Sequence, residues 1–251
     1  GGGPVGDAIV GPPDVPMISF TGSPPVGWGI RQRQPRKEVA LELGNSTPVI
    51  VEADADLERA AAKLAASGYT HAGQSCISVQ RVYVQAAALD LFRDLFVAAV
   101  EELVVGDPMD PSTDTGPLID VDNRDRVVEW IDEALRGGAR ALTGAEVREG
   151  LLRPTVLEGI DPSMKVSCEE VFGPVVGLAG YDTVDEAIDL ANSSPFGLQA
   201  GIFTSRVDAA LGWARRLDFG GELLNETPTV RADQMPHGGV KDSRNSRHGP
   251  R

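Results

Sequence analysis

The chain has 251 residues, 41% of them hydrophobic, enough for one large domain or two small ones with a substantial core. Its net charge of −14 argues against nonspecific binding to nucleic acid or to an acidic membrane surface, since both draw on excess Lys and Arg. Two cysteines and three histidines argue against a disulfide scaffold and a closed Cys/His metal site, and they suit a reducing, cytoplasmic setting.

No apolar run approaches the ~20 residues of a membrane-spanning helix. The opening Gly1-Gly2-Gly3-Pro4 lacks the charged and apolar regions of a signal peptide and reads as the start of a truncated chain. From Val15, the run Pro16-Met17-Ile18-Ser19-Phe20-Thr21 reads as a short apolar strand. It ends in the turn Gly22-Ser23, after which Pro24-Pro25-Val26-Gly27-Trp28 opens a helix. A strand, small-residue turn and helix expose backbone N–H groups that can hold a phosphate; the same residues also serve as a plain turn, and the six-residue glycine fingerprint is absent. Residues 39–44 alternate as a strand, and another resumes at 49–51 after Gly44-Asn45-Ser46-Thr47-Pro48. Glu42 is thus a carboxylate between apolar neighbours, either a solvent-facing strand residue or a partly buried general base.

Asp54 and Asp56 are cap candidates for a helix in which Leu57, Ala60, Ala61, Leu64, Ala65, Gly68 and Ala72 recur at helical spacing until Gly73 breaks it. The stretch His71-Ala72-Gly73-Gln74-Ser75-Cys76-Ile77-Ser78 then leads into a strand at 79–85, with Val82 and Val84 on one face and Tyr83 on the other. A thiol in a helix-to-strand turn can be held rigidly and still be reached, which makes Cys76 a candidate nucleophile; the plain alternative is a small buried hydrophobe. Leu89, Phe92, Leu95, Phe96, Ala99, Val100 and Leu103 form a helical core face. Residues 106–117 are too rich in Pro, Gly and Asp for regular structure, and turn chemistry explains their acids more simply than a metal. A helix at 120–135 closes at Gly137-Gly138. Short strands at 139–142 and 155–157, a strand following Cys168-Glu169-Glu170, a helix at 183–191, a strand at 200–204, a helix at 207–217 and a strand edge at 222–225 complete the chain. This alternation, with no repeat or low-complexity linker, predicts an α/β fold with a largely parallel sheet flanked by helices.

Five stretches in order carry a resemblance over nearly the whole chain: Phe20-Thr21-Gly22-Ser23 with Gly27, Leu41-Glu42-Leu43-Gly44, Gly73-Gln74-Ser75-Cys76, Glu169-Glu170 with Phe172-Gly173-Pro174, and Met235-Pro236 with Gly238-Gly239-Val240-Lys241. With them the sequence resembles the NAD(P)-dependent aldehyde dehydrogenase superfamily. The wording Ile77-Ser78-Val79-Gln80-Arg81 is most similar to members acting on small polar aldehydes such as lactaldehyde or semialdehydes.

The resemblance implies that Cys76 attacks an aldehyde to form a thiohemiacetal, that hydride passes to NAD or NADP, and that Glu42 activates the water that hydrolyses the thioester. Positive potential would lower the thiol's pKa, and the Cys76 N–H would supply half of an oxyanion hole. It places Gly22, Ser23, Gly27 and Leu43 at the cofactor, the first two near the pyrophosphate, and Val26 near the adenine. Glu170 would hold the nicotinamide-side ribose and Phe172 would pack beside the nicotinamide. Arg231 and His237 fall where substrate-facing loops are expected, although surface solvation accounts for both. Residues 1–43 would be the last part of a Rossmann-like nucleotide-binding domain, 44–240 the catalytic domain and 241–251 a tail leading back. The family's segment ahead of Gly1 would carry most of the nucleotide-binding sheet, a cofactor lysine and the second oxyanion donor. A parent protein would be a homo-oligomer, paired through a last strand that lies beyond Arg251.

The family pattern after Lys241 continues Asp-Ser-Gly, whereas Asp242-Ser243 is followed here by Arg244-Asn245-Ser246-Arg247-His248. An arginine at 244 resists the positive φ that a glycine permits. Two other readings stand beside the dehydrogenase: a cysteine-dependent esterase using Cys76 and Glu42, for which His71 is a further candidate base, and a folded remnant without catalysis.

Overall fold

The computed structural model describes residues 3–245 and 247–249; Gly1, Gly2, Ser246, Pro250 and Arg251, on which the expectations for the two termini partly fall, lie outside them. The chain runs through α1 (Gly3–Val10), β1 (Met17–Thr21), α2 (Pro24–Arg33), β2 (Glu38–Glu42), β3 (Thr47–Val51), α3 (Leu57–Tyr69), β4 (Val79–Gln85), α4 (Leu89–Glu101) and α5 (Val121–Arg136). It continues with β5 (Arg140–Thr143), β6 (Val147–Arg148), β7 (Leu151–Leu152), β8 (Thr155–Glu158), α6 (Lys165–Cys168), β9 (Val175–Tyr181), α7 (Val184–Asn192), β10 (Phe196–Gly197), β11 (Gln199–Phe203), α8 (Val207–Ala214) and β12 (Gly221–Leu224). Three two-residue strands follow: β13 (His237–Gly238), β14 (Val240–Lys241) and β15 (Arg247–His248). Among the described residues no helix is long and apolar enough to cross a membrane.

Seven strands form one sheet in the order β12-β11-β3-β4-β9-β8-β5, parallel throughout except for the antiparallel β8–β5 edge. The expected α/β fold with a largely parallel, helix-flanked sheet is therefore what forms. Alternation along the central strands divides the core. Val49 and Val51 of β3 and Val82 and Val84 of β4 face α3 and α4, whereas Ile50 and Tyr83 face α7 and α8. All five residues of β3 are buried, as a strand covered on both faces requires. A third cluster packs α5 against Leu157, Val171 and Val175. A separate small one, Val10, Ile18, Ile30, Val39, Leu41 and Leu43, holds the parallel pair β1–β2 to α1 and α2.

Two local expectations differ from the structure. The helix expected to run to Ala72 ends at Tyr69, and Thr70–Gly73 form a tight 3-10 turn in which His71 and Ala72 take φ of 55° and Gly73 takes 71°. The turn must redirect the backbone toward the Cys76 loop, and this outweighs the alanine-rich helical propensity. The helix α1, the β6–β7 hairpin and the short α6 carry no periodic signal long enough to read. The other boundaries fall within a few residues of those read from the pattern, and 106–117 is an ordered loop whose Asp110 and Asp114 accept hydrogen bonds from backbone N–H groups. Among the described residues no cluster of acids, histidines or cysteines is arranged to hold a metal.

Candidate active site

The carboxyl ends of β1 and β2 meet the segments that lead into β4 and β9 around one cavity of about 580 Å³, in the range of small-molecule sites. Gly22, Ser23, Glu42, Leu43, Cys76, Glu170 and Phe172 all line it. The sequence thus places seven of its candidates on one surface, though they come from four segments. Two of the expected cofactor residues lie elsewhere. Val26 is exposed on the outer side of α2, and Gly27 is buried where a Cβ would sit 2.4 Å from the Leu43 side chain, so its place is in packing α2 on β2. His71, the further base candidate, is exposed and outside this lining.

Cys76 is fixed by the turn before it. A Cβ on Gly73 would lie 2.1 Å from the Gly173 carbonyl oxygen, so only glycine allows this backbone to rest on the loop that carries Glu170 and Phe172. The Gln74 amide donates to the carbonyls of His71 and Pro117 and accepts from the Ile119 N–H at 2.8 Å, tying the thiol's loop to the entry of α5. Ser78 Oγ donates to the last carbonyls of α3, those of Ser67 and Gly68. The expected lowering of the thiol pKa is not found. Burial pushes the Cys76 thiol up, the nearby Glu170 carboxylate pushes it the same way, and the Cys76 backbone N–H and Arg231 only partly offset them.

Glu170 is held from three sides. Gln80, buried in β4, donates through Nε2 to Ser46 Oγ and to the carbonyls of Val166 and Glu169, and its Oε1 accepts the Val171 N–H at 3.0 Å. The Asn45 N–H donates to Glu170 Oε1 at 3.0 Å, and a Cβ on Gly44 would lie 2.6 Å from the same carboxylate. Burial raises the Glu170 pKa to about 7, against the pull of the Asn45 N–H and the Arg126 charge. Arg126 and Asn123, from α5, complete the cavity wall; Arg126 donates to the Val171 carbonyl and stacks over Trp130. Sequence reasoning missed Arg126, Asn123, Asn45 and Gln80. The two α5 residues stand three apart on a helix face, a spacing no different from that of solvated polar residues. Phe172 takes φ of 48°, unusual for a bulky residue, and the residue is 40% exposed where it lines the cavity.

Glu42 does not face open solvent. Its carboxylate is paired with the Arg244 guanidinium, and His237 Nε2 stands 3.9 Å from its second oxygen. His237 is 8% exposed, and its Nδ1 lies 3.3 Å from Gln199 Nε2, so surface solvation does not describe it; Arg231 is exposed. The turn thought to suffer from arginine at 244 places its positive φ at Lys241 instead, and Arg244 stays out of the left-handed region.

These residues fit one end of a dinucleotide better than the other. A buried carboxylate beside an exposed aromatic ring suits a sugar diol next to a flat heterocycle. At the opposite end Pro24 and Pro25 occupy the first two positions of α2 and have no N–H. The Gly22 and Gly27 N–H groups are already donated to Glu42 O and Ser23 O. Ser23 makes no side-chain cap, which leaves its hydroxyl able to donate there.

Among characterised proteins, a 3-sulfolactaldehyde dehydrogenase of Priestia aryabhattai is 43% identical over 250 residues, covering 100% of this chain and 52% of that protein. A lactaldehyde dehydrogenase of Methanococcus maripaludis is 39% identical over 98% of this chain and 52% of its own length. The crystal structure of a glyceraldehyde-3-phosphate dehydrogenase from Methanocaldococcus jannaschii complexed with NADP superposes with a TM-score of 0.94 at 40% identity, over 98% of this chain and 53% of that one. The chain spans about half the length of the relatives it matches. Residues 1–251 match the Aldehyde dehydrogenase family, and with the cysteine, the two glutamates and the phenylalanine of its motifs gathered on one cavity, the chain belongs to that family.

Proposed function

We propose that this chain carries the catalytic half of an NAD(P)-dependent aldehyde dehydrogenase that oxidises a small polar aldehyde to its acid. The observation that carries the reading is the single cavity shared by Cys76, Glu42 and Glu170. Relatives named for lactaldehyde and sulfolactaldehyde support the substrate class. In this reading residues 1–43 close a nucleotide-binding domain, 44–240 are the catalytic domain, 241–251 lead back, and the whole protein is a cytoplasmic homo-oligomer.

The Cys76 thiolate attacks the aldehyde carbon, and the carbonyl electron pair moves onto oxygen, where the Cys76 N–H meets it. A bound dinucleotide would supply a hydride acceptor here, and loss of hydride from this carbon would leave the acyl group on Cys76 as a thioester. Glu42 takes a proton from water as the water oxygen bonds to the acyl carbon. The C–S bond then breaks, its electron pair returns to Cys76, and the acid is released. Glu170 would accept hydrogen bonds from the cofactor's sugar hydroxyls, and Phe172 would flank its ring.

One observation favours a second reading, thioester chemistry without hydride transfer: the prolines of α2 leave few backbone donors for a diphosphate. An activated ester and an aldehyde with NAD(P), assayed on the same folded chain, separate the two. Ester turnover with no cofactor reduction supports the second. For either, Glu42→Gln should preserve the burst of p-nitrophenol from p-nitrophenyl acetate and slow the later turnover by about 10²-fold, the scale of a general base. An unchanged steady state would remove Glu42 from the mechanism, and a burst that survives Cys76→Ala would remove Cys76.

A further inference from the structure

The ion pair between Glu42 and Arg244 is built by a segment that the catalytic scheme does not use. After β14 the chain returns to β2 and lies antiparallel along it, with Arg244 opposite Glu42. The backbone and side chains zip the two together. The Leu43 N–H donates to the Ser243 carbonyl at 2.9 Å, Asn245 Oδ1 accepts from the Leu41 N–H at 2.9 Å, and Asn245 Nδ2 donates to the Val39 carbonyl at 2.8 Å. Ser243 Oγ accepts from the Gly197 N–H at 2.9 Å, anchoring the strap to β10 as well. The Arg244 side chain is fully buried, donates through Nη1 to the His237 carbonyl at 2.9 Å and directs its other nitrogen at the Glu42 carboxylate, which keeps 19% exposure on the cavity side.

The structure assigns to Arg244 the role of a positioning residue that latches Glu42 to the 243–245 strap and slows release of the acyl group from Cys76. This rests on the proposed role of Glu42 as the base. Two physical effects point the same way. A buried guanidinium stabilises the ionised carboxylate and so weakens it as a proton acceptor, and the pair holds the carboxylate toward the strap when it has to reach a water at the thioester. His237, 3.9 Å away on the other oxygen, is the second group facing Glu42 from this side. The latch acts on the hydrolysis of the thioester alone. Attack of Cys76 on the acyl donor, with departure of the alcohol, does not involve Glu42 in this scheme.

The test is p-nitrophenyl acetate hydrolysis by the 251-residue chain, with the acetyl-Cys76 adduct followed by intact mass. The burst rate reports acylation and decay of the adduct reports hydrolysis. Arg244→Met, which keeps most of the volume and removes the charge, should leave the burst within about twofold and speed adduct decay roughly 10-fold, the consequence expected when a base is freed from an ion pair. Arg244→Lys should restore slow decay. Glu42→Gln combined with Arg244→Met should show no acceleration, since the effect passes through Glu42. Decay in Arg244→Met that is unchanged or slower, with the Glu42→Gln and Cys76→Ala controls behaving as expected, overturns the latch and leaves the proposed function standing. Burst and decay shifting together, with a lowered melting temperature, show a structural role and also overturn it. Acceleration that persists without Glu42 does the same. Absence of any adduct in the folded chain overturns the reading of Cys76 and the latch with it.

Discussion

Replacing Glu170 by Gln removes a charge that this structure sets against the nucleophile. The Glu170 carboxyl has its pKa raised from 4.5 to about 7 by burial, and its ionised form helps push the Cys76 thiol up. Glutamine keeps an oxygen for the Asn45 N–H and removes the charge. A like charge near a thiol disfavours the thiolate and so raises its pKa. Losing it enlarges the thiolate fraction at a pH below the thiol's pKa, while the falling nucleophilicity of a less basic thiolate returns part of that gain. The net expectation is about a 2- to 4-fold faster alkylation of Cys76 by iodoacetamide. The pH dependence gives the sharper check. Glu170 is largely neutral one unit below 7, so the variant and the parent chain should react alike near pH 6 and diverge above pH 7. Labelling would be quantified by peptide mass spectrometry, with Cys168 as the internal reference; burial and Glu169 raise its pKa independently of Glu170. Equal Cys76 rates at pH 8.5, or the same acceleration at pH 6 as at pH 8.5, would refute the electrostatic account.

Stability should follow the same group with a defined sign: a carboxyl raised from 4.5 to about 7 costs nothing below the unfolded value, and its burial penalty grows through that window and is complete above 7. Glu170→Gln should therefore stabilise the chain at pH 8, by on the order of 3 kcal/mol at most, and be neutral near pH 4.5, as read from denaturant melts. Gly73→Ala should destabilise by several kcal/mol or prevent folding, because a φ of 71° and a carbonyl 2.1 Å from the new Cβ leave no relaxed position; a melting temperature within a degree of the parent's would contradict the docking of the Cys76 turn. Gln80→Ala strands the Val171 N–H and three acceptors, and a loss of roughly 2–4 kcal/mol in denaturant titrations is expected, with faster amide exchange at 169–171.

Periodicity was enough to place α3, α4, α5 and the central strands, because a helix face or a buried strand must recur at 3.6 or 2 residues to be covered. The motif glycines carried information of the same local kind: Gly44 and Gly73 stand where a Cβ would meet Glu170 or Gly173. Cys76 and Glu42 could also be picked out as candidates from the residues around them, whereas Glu170 and Phe172 stand out only through the family resemblance. No electrostatic state could be read in this way. Whether a carboxylate is solvated, buried or paired depends on what the rest of the chain brings to it. Glu170 owes its raised pKa to burial, which the Asn45 N–H and Arg126 only partly offset, and Glu42 owes its partner to a segment about two hundred residues away. His237 and Arg244 read as a surface residue and a misfit turn for the same reason: burial is a property of the packed strap, and nothing within ten residues of either announces it. The turn preceding Cys76 lies between these cases. Its glycine is visible in the sequence, but the left-handed His71 and Ala72 are imposed by docking against Gly173, a contact that exists only once β4 and β9 are paired.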